Sequence, residues 1–218
     1  MSFPVWLTVK TCVACVVLHA LISIPIALWS SRSRGLMSRA VSFIVTIPLV
    51  FPPIAMGFIL LMLLGRRGPI GIPLEQYLGL RLVFSEAGVI LAAFIAGVPL
   101  MVRPLQAAME RLEILHLEEA ARVHGCPPLM TILAVTVPQT WNTITSGFLL
   151  CVARASGEVG ITMMLGGNIS GRTNTLSLEI FNSVTRGEFD VAVRLCAILA
   201  GAGLILYVLM EKNRTKEL

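Results

Sequence analysis

The chain has 218 residues, of which 56% are hydrophobic and 13% charged, and 17 Lys and Arg against 12 Asp and Glu leave a net charge of +5. A soluble domain of this size carries about 25% charged residues, so there are too few charges to coat a water-exposed globule, and the apolar residues run together in long stretches. An ordinary soluble enzyme and a disordered chain are excluded; an all-α integral membrane protein, one domain over 1–218 with no room for a nucleotide-hydrolysing domain, is expected.

Crossing a hydrocarbon layer of about 30 Å takes roughly 20 helical residues, and five segments qualify: 11–29, 40–64, 82–102, 129–153 and 191–210. Helices are expected because lipid cannot satisfy loose backbone groups. The first segment lacks an evident small-residue cleavage site and is followed by Arg32 and Arg34, so it reads as a retained span rather than a signal peptide. Its Cys12 and Cys15 form a CxxC without metal-ligand partners and read as packing residues. His19, in the same run, reads as packed and hydrogen-bonded. The second segment has no charge in 25 residues and contains Pro48, Pro52 and Pro53. Prolines inside spans become kinks that neighbouring helices accommodate, and Pro52 and Pro53 either shape a gate or are ordinary kinks. Arg66 and Arg67 follow. They either draw an anion or an acidic partner to a mouth or anchor the helix end at the lipid surface.

The third segment has Glu86 near its start and leads into a loop, 103–128. Pro104 suits a first helical position, and the residues from Leu105 to His124 favour a helix. Glu118 and Arg122 stand four apart in the favourable order. Gly125 is placed to cap the helix, and Pro127 and Pro128 prevent its continuation. The result is a short amphipathic helix with a small face at Ala120 and Ala121. It is either a docking helix for another protein or a connector lying on the membrane. The fourth segment carries Thr136, Gln139, Thr140, Asn142, Thr143, Thr145 and Ser146, which either bond to neighbouring helices or line a polar route. Just past it, Glu158 would repel an anion, so it is assigned to a structural pair with Arg154. Residues 159–169 are apolar but too short to span, and 170–190 is polar, which predicts a short half-buried or re-entrant helix and a loop.

Lys212, Arg214 and Lys216 follow the fifth segment and place the C-terminus in the cytoplasm. An odd number of spans then puts the N-terminus outside. This leaves nine Lys and Arg on the inner side and eight elsewhere, with Arg66 and Arg67 against the rule. The basic residues never gather with aromatics, so they suit a lipid surface and not nucleic acid. No catalytic, metal or cofactor site is expected. His19, His116 and His124 do not make an HExxH, and Ser156-Gly157, the nearest serine candidate, has no histidine in a later span. No GxxxxGK[ST] occurs either, so energy for any transport must come from a partner.

Glu119-Ala120-Ala121, three residues, Gly125, nine residues and Val135-Thr136-Val137-Pro138 resemble the EAA signature of type I ABC-importer permeases, with V-x-V-P in place of I-x-L-P. The likeness extends along nearly the whole chain to the molybdate-importer permeases: Ile47 to Pro53, Leu64 to Gly71, Pro99 to Arg103, Ala153 to Gly160 (with Val159 in place of Phe), Gly167-Asn168-Ile169 and Thr173 to Leu176. Gly166-Gly167-Asn168 is similar to tungstate permeases as well. The resemblance implies a type I permease bundle of about five transmembrane helices with a cytoplasmic coupling helix, in a bacterial inner membrane, N-terminus outside. It implies a homodimer, ABC ATPase subunits docked at Glu118, Glu119, Ala120, Ala121, Gly125 and Pro138, and a periplasmic or extracellular oxyanion-binding protein. It also implies import of molybdate, or of tungstate or sulfate, by alternating access. Residues for the pathway or gate are Pro52, Pro53, Arg66, Arg67, Thr140, Asn142, Ser156 and Asn168.

Overall fold

A computed structural model describes residues 2–33 and 35–214; Arg34, cited above for a retained first span, and Lys216, cited for sidedness, lie outside the described residues. Every regular element among those residues is helical. Helix α1 (Ser2–Leu18) passes through a π-turn at His19–Ser23 into α2 (Ile24–Arg32), making one rod from Phe3 to Arg32. The first apolar helix therefore begins well before residue 11 and includes Lys10. The π-turn ends two residues before Pro25. Proline lacks an N–H and its ring crowds the carbonyl four residues back, and a wider turn relieves the crowding. The same arrangement recurs where a π-turn at Ile132–Thr136 precedes Pro138.

The uncharged stretch 40–64 is cut in two, α3 (Leu36–Val50) and α4 (Pro53–Leu64). A residue before proline is pushed out of the helical region. Phe51 and Pro52 both precede a proline, and both are extended, with ψ 143 and 134. The break therefore falls mid-stretch, and neither piece alone has the roughly 20 residues a crossing needs. Helix α5 (Gly71–Leu78) lies on the connection that follows. Helix α6 (Glu86–Met109) is capped by Ser85, whose hydroxyl accepts from the Gly88 N–H at 3.2 Å, and its 24 residues extend about 36 Å. Pro104 lies inside α6 and does not open the next helix, because Leu105, Ala108 and Met109 bury the last turn against the bundle and hold it helical. The expected loop 103–128 thus begins only after Met109, and α7 spans Leu112–Val123.

Helix α8 (Pro128–Thr131), the second π-turn and α9 (Val137–Gln139) lead to a break at Thr140 and then to α10 (Trp141–Ser156). Helix α11 (Gly160–Gly166) is bent 61° from α10 and is a short apolar helix within the stretch 159–169 expected to be half-buried or re-entrant. Helix α12 (Leu176–Thr185) occupies part of the expected loop 170–190, with the Thr175 hydroxyl accepting from Leu178 N–H. Helix α13 (Phe189–Arg214) closes the chain.

Among the described residues, three helical stretches, Phe3–Arg32, Glu86–Met109 and Phe189–Leu209, are long and apolar enough to cross a membrane, and α10 with α11 makes a fourth if the bent pair counts as one. Helix α6 is the axis of the bundle. Ala92, Ala93 and Ala96 are buried on it, and α1, α2, α3, α10 and α11 all pack against it. Small residues allow the close approaches: Gly147 of α10 sits on Met101, and the Cys151 thiol reaches the Gly97 carbonyl at 3.4 Å. His19 fits beside Gly97. Its Nδ1 shares a hydrogen bond with Ser23 Oγ at 2.8 Å and its ring lies 4.8 Å from that of Phe94. Most of α13, and the outer faces of α3 and α4, carry large apolar side chains that nothing covers.

Candidate functional site

At the Met109 end of α6 the chain turns at Glu110–Arg111 into α7. The end of α7 is closed by its own sequence. Gly125 has φ +82, the Cys126 N–H returns to Ala121 O at 3.0 Å, and the Gly125 N–H returns to Arg122 O at 2.9 Å. That pair of bonds is the Schellman closure, which needs a residue in the left-handed region that glycine enters without strain. Pro127 and Pro128 then forbid another turn.

Helix α7 has two unlike faces. Ile114 and Glu118, four apart, are buried, while Leu117, Glu119, Ala120 and Val123 are exposed. Glu118 is only 2% exposed and receives three side chains. Arg32 Nη2, from the last turn of α2, donates to Oε1 at 2.5 Å, and Arg122 Nη2 donates to Oε2 at 3.1 Å. The Thr136 hydroxyl donates to Oε1. Arg32 also donates to Thr136 Oγ1 at 3.1 Å. Thr136 is the last residue of the second π-turn, so the proline-induced widening sets the position of its hydroxyl. One buried carboxylate thereby fastens α7 to the end of the first rod and to the start of the α10 segment. The i,i+4 pair with Arg122 was legible in the sequence, but Arg32, 86 positions away, was not.

The residues expected to act together at α7 are divided by this geometry. Glu118 faces the bundle, whereas Glu119 and Ala120 face outward, Ala121 is half-buried, Gly125 is at the tip and Pro138 is exposed on α9. A cavity of about 630 Å³ opens beside them, lined by Arg32, Glu110, Glu118, Glu119 and Arg122 among others.

The residues expected along a pathway occupy separate places. Thr140 is buried with its hydroxyl on the Thr136 carbonyl at 2.7 Å, and Asn142 is half-buried at the start of α10. Ser156 ends α10, bonded to Ala153 O at 2.9 Å. Asn168, with φ +50, exchanges amide hydrogen bonds with Asn182 at 2.6 and 3.1 Å. Pro52 and Pro53 mark the α3–α4 break, where Pro53 packs on Gly160. Arg154 and Glu158 do form the expected ion pair, and Glu158, 1% exposed, also accepts from the Ile161 N–H at 2.7 Å, capping α11.

At the opposite end of α6, Lys10 pairs with Glu86 at 2.5 Å, so ion pairs tie the first rod to its neighbours near both ends. Arg66 lines a cleft of about 560 Å³ there, together with Glu75, Arg81, Phe84 and Arg172; Arg67 is exposed outside it. Glu75, Arg81 and Phe84 had no motif to announce them. On the adjoining loop, Asn174 accepts from Gly171 N–H at 3.0 Å and donates to Glu179 Oε2 at 2.7 Å, and Arg186 donates to Glu179 Oε1 at 3.0 Å. Burial would raise the Glu179 carboxyl, but hydrogen bonds from Arg186, Asn174 and Asn182, with the Arg186 charge, hold it below its ordinary range. A carboxyl with a folded pKa below its unfolded value gives its full stabilisation above about pH 4.3 and loses it as pH falls through the folded value. Protection of the Gly171 amide against hydrogen exchange, corrected for intrinsic rate, is therefore expected to hold from neutral pH down to about 5 and to weaken below about 4.

The described residues thus form a bundle of apolar helices with a two-faced helix, α7, fastened at one end. Residues 23–211 match the family described as the binding-protein-dependent transport system inner membrane component. The chain is 35% identical to the molybdenum transport system permease protein ModB of Azotobacter vinelandii over 96% of its own length and 93% of that protein's. It is 37% identical to ModB of Escherichia coli K12, over 76% of this chain and 72% of the relative, and 37% identical to ModB of Mycobacterium tuberculosis, over 93% and 76%. The chain belongs to the family of binding-protein-dependent transport permeases, multi-pass proteins of the inner membrane, and its likeness within that family is to the ModB permeases.

Proposed function

We propose that the chain is the permease subunit of an ATP-driven molybdate importer, with the α7 end in the cytoplasm and the N-terminus outside. Two copies work with two ATPase subunits docked on the exposed face of α7, and a soluble binding protein delivers the anion to the other end. The observation that carries this reading is the likeness to ModB proteins over 96% of the chain. Relatives named for molybdenum favour molybdate over tungstate or sulfate as the cargo. The physical need is plain, since an unpaired dianion cannot enter hydrocarbon without a cost of many kcal/mol. Alternating access meets that need by rearranging packed helices around the cargo. In this chain the push enters at α7 and passes through Glu118 to Arg32 and Thr136, and so to two separate spans.

Two measurements test the reading. Proteoliposomes holding the chain, its ATPase and its binding protein should take up molybdate only with ATP; uptake indifferent to ATP would overturn it. Gly125→Val should leave ATP hydrolysis largely intact while uptake falls about tenfold or more, because a β-branched residue at φ +82 costs roughly 1–2 kcal/mol and reshapes the tip of α7. Uptake equal to wild type would remove α7 from the coupling path.

A further inference from the structure

The cleft at the Glu86 end of α6 has no part in the coupling path. Three arginines reach it from separate segments: Arg66 after α4, Arg81 after α5 and Arg172 after α11. One carboxylate, Glu75, faces them. Arg81 Nε donates to Glu75 Oε1 at 2.7 Å, and Arg66 Nε stands 3.9 Å from Oε2. Arg172 is exposed and has no carboxylate partner among the described residues. Three arginines against one glutamate leave the cleft with a surplus of positive charge. Its wall includes Phe84, whose φ of +58 puts a bulky residue in the left-handed region. Such strain persists only where the surroundings enforce it, and it gathers at functional sites. Here the Phe84 N–H bonds the Leu165 carbonyl at 2.7 Å, and its ring lies on Gly167, leaving no room for a Cβ there.

We propose that this cleft is an anion-receiving site of the permease itself, in which Arg66, Arg81 and Arg172 hold a free tetrahedral oxyanion and Glu75 is the internal counter-ion that the anion displaces. The proposal rests on the importer reading, which makes this end the outer one and the cargo a dianion. A tetrahedral dianion offers only acceptor oxygens, and planar guanidinium groups supply paired donors that fit them. While the cleft is empty, Glu75 keeps Arg66 and Arg81 from repelling each other; when an anion arrives, its charge competes for the same donors. A phosphate on an anionic lipid headgroup has the same chemistry, so the test separates the two sources.

Equilibrium binding of molybdate to the purified permease–ATPase complex, without the binding protein, should be saturable and weaken with rising ionic strength. Arg172→Gln and Arg81→Gln should each weaken it roughly three- to tenfold, and Glu75→Gln should strengthen it by a similar factor. The opposite signs are decisive. If Glu75→Gln weakens binding along with Arg81→Gln, the pair only shapes the connection and the proposal fails. It fails equally if wild type shows no saturable binding or if Arg172→Gln changes nothing. Phosphatidylglycerol nanodiscs, whose negative surface repels the dianion, should lower the affinity of wild type and of Arg172→Gln by the same factor relative to phosphatidylcholine; suppression in wild type but not in Arg172→Gln would give the cleft to a headgroup instead. ATP-driven uptake by wild type with unaltered binding across the variants would overturn the cleft and leave the importer standing. Absence of any wild-type molybdate uptake would overturn the importer reading.

Discussion

Glu118→Ala is expected to lower the stability of the protein by about 3 kcal/mol and to disconnect ATP hydrolysis from uptake. Removing one partner of a buried ionic cluster costs roughly 3–5 kcal/mol, because the groups left behind lose their acceptor. Here the Arg32 side chain is 28% exposed and Arg122 55% exposed, so both recover some hydration, which places the effect at the lower end. The buried Thr136 hydroxyl loses the carboxylate it donates to. Glu118→Gln, which keeps an acceptor but not the charge, should fall between wild type and alanine. A cycle of Arg32→Gln, Glu118→Gln and the double variant should show a coupling of about 1–3 kcal/mol, as for residues in direct contact. Thermal unfolding in detergent reads the stability, and the ratio of ATP hydrolysed to molybdate taken up reads the coupling. Additive losses in the cycle would mean that the Arg32–Glu118 contact carries no energy of its own. The neighbouring Glu119 is the contrast. It is exposed and its replacement by Lys should leave stability within about 0.5 kcal/mol, yet reverse the charge offered to a docked partner and cut uptake.

Gly57→Leu is expected to be at least as damaging, for a steric reason. Helix α11 lies on α4 with almost no side chain between them. A Cβ on Gly57 would stand 2.8 Å from Met164 Cβ and 3.0 Å from Ile161 Cα. From the other side, a Cβ on Gly160 would stand 2.7 Å from Pro53 Cβ and 3.0 Å from Ile54 N. These neighbours are backbone or backbone-near atoms and cannot swing aside, so a leucine forces the helices apart. Small residues at such seams are how membrane helices gain dispersion energy where no hydrophobic effect acts between them. Overfilling a packed site costs typically 1–3 kcal/mol, and loss of the seam places Gly57→Leu at about 3 kcal/mol or beyond. Folded yield and unfolding temperature measure it. Gly201→Leu on the exposed α13, with nothing within 4 Å of a built Cβ, is the control and should be close to neutral. If the two variants behave alike, α4 and α11 are not in contact as described.

What was legible in advance was what neighbours along the chain decide. Helices in lipid, the stop of α7 at Gly125, the Arg154–Glu158 pair and the short helix after residue 159 all depend on groups a few positions apart. Proline effects were legible only in part. That prolines would bend the spans followed from the sequence. That Pro25 and Pro138 would be met by π-turns, Pro52 and Pro53 by a complete break, and Pro99 and Pro104 by an unbroken α6 depends on the packing around each. Pro104 misled for this reason, since it suits a first turn, yet the burial of Leu105, Ala108 and Met109 holds it inside a longer helix.

Hydropathy, capping and motif spacing are local properties, and from them alone it follows that this protein lives in a membrane, is helical and carries a glycine-stopped helix in a family signature. That Glu118 faces inward to Arg32 while Glu119 faces outward, that two glycines seat α11 on α4, and that Arg66, Arg81 and Arg172 share a cleft came from the packing of the bundle. Those facts join residues many tens of positions apart, and which distant side chains meet is set by how the helices cross, not by any spacing along the chain.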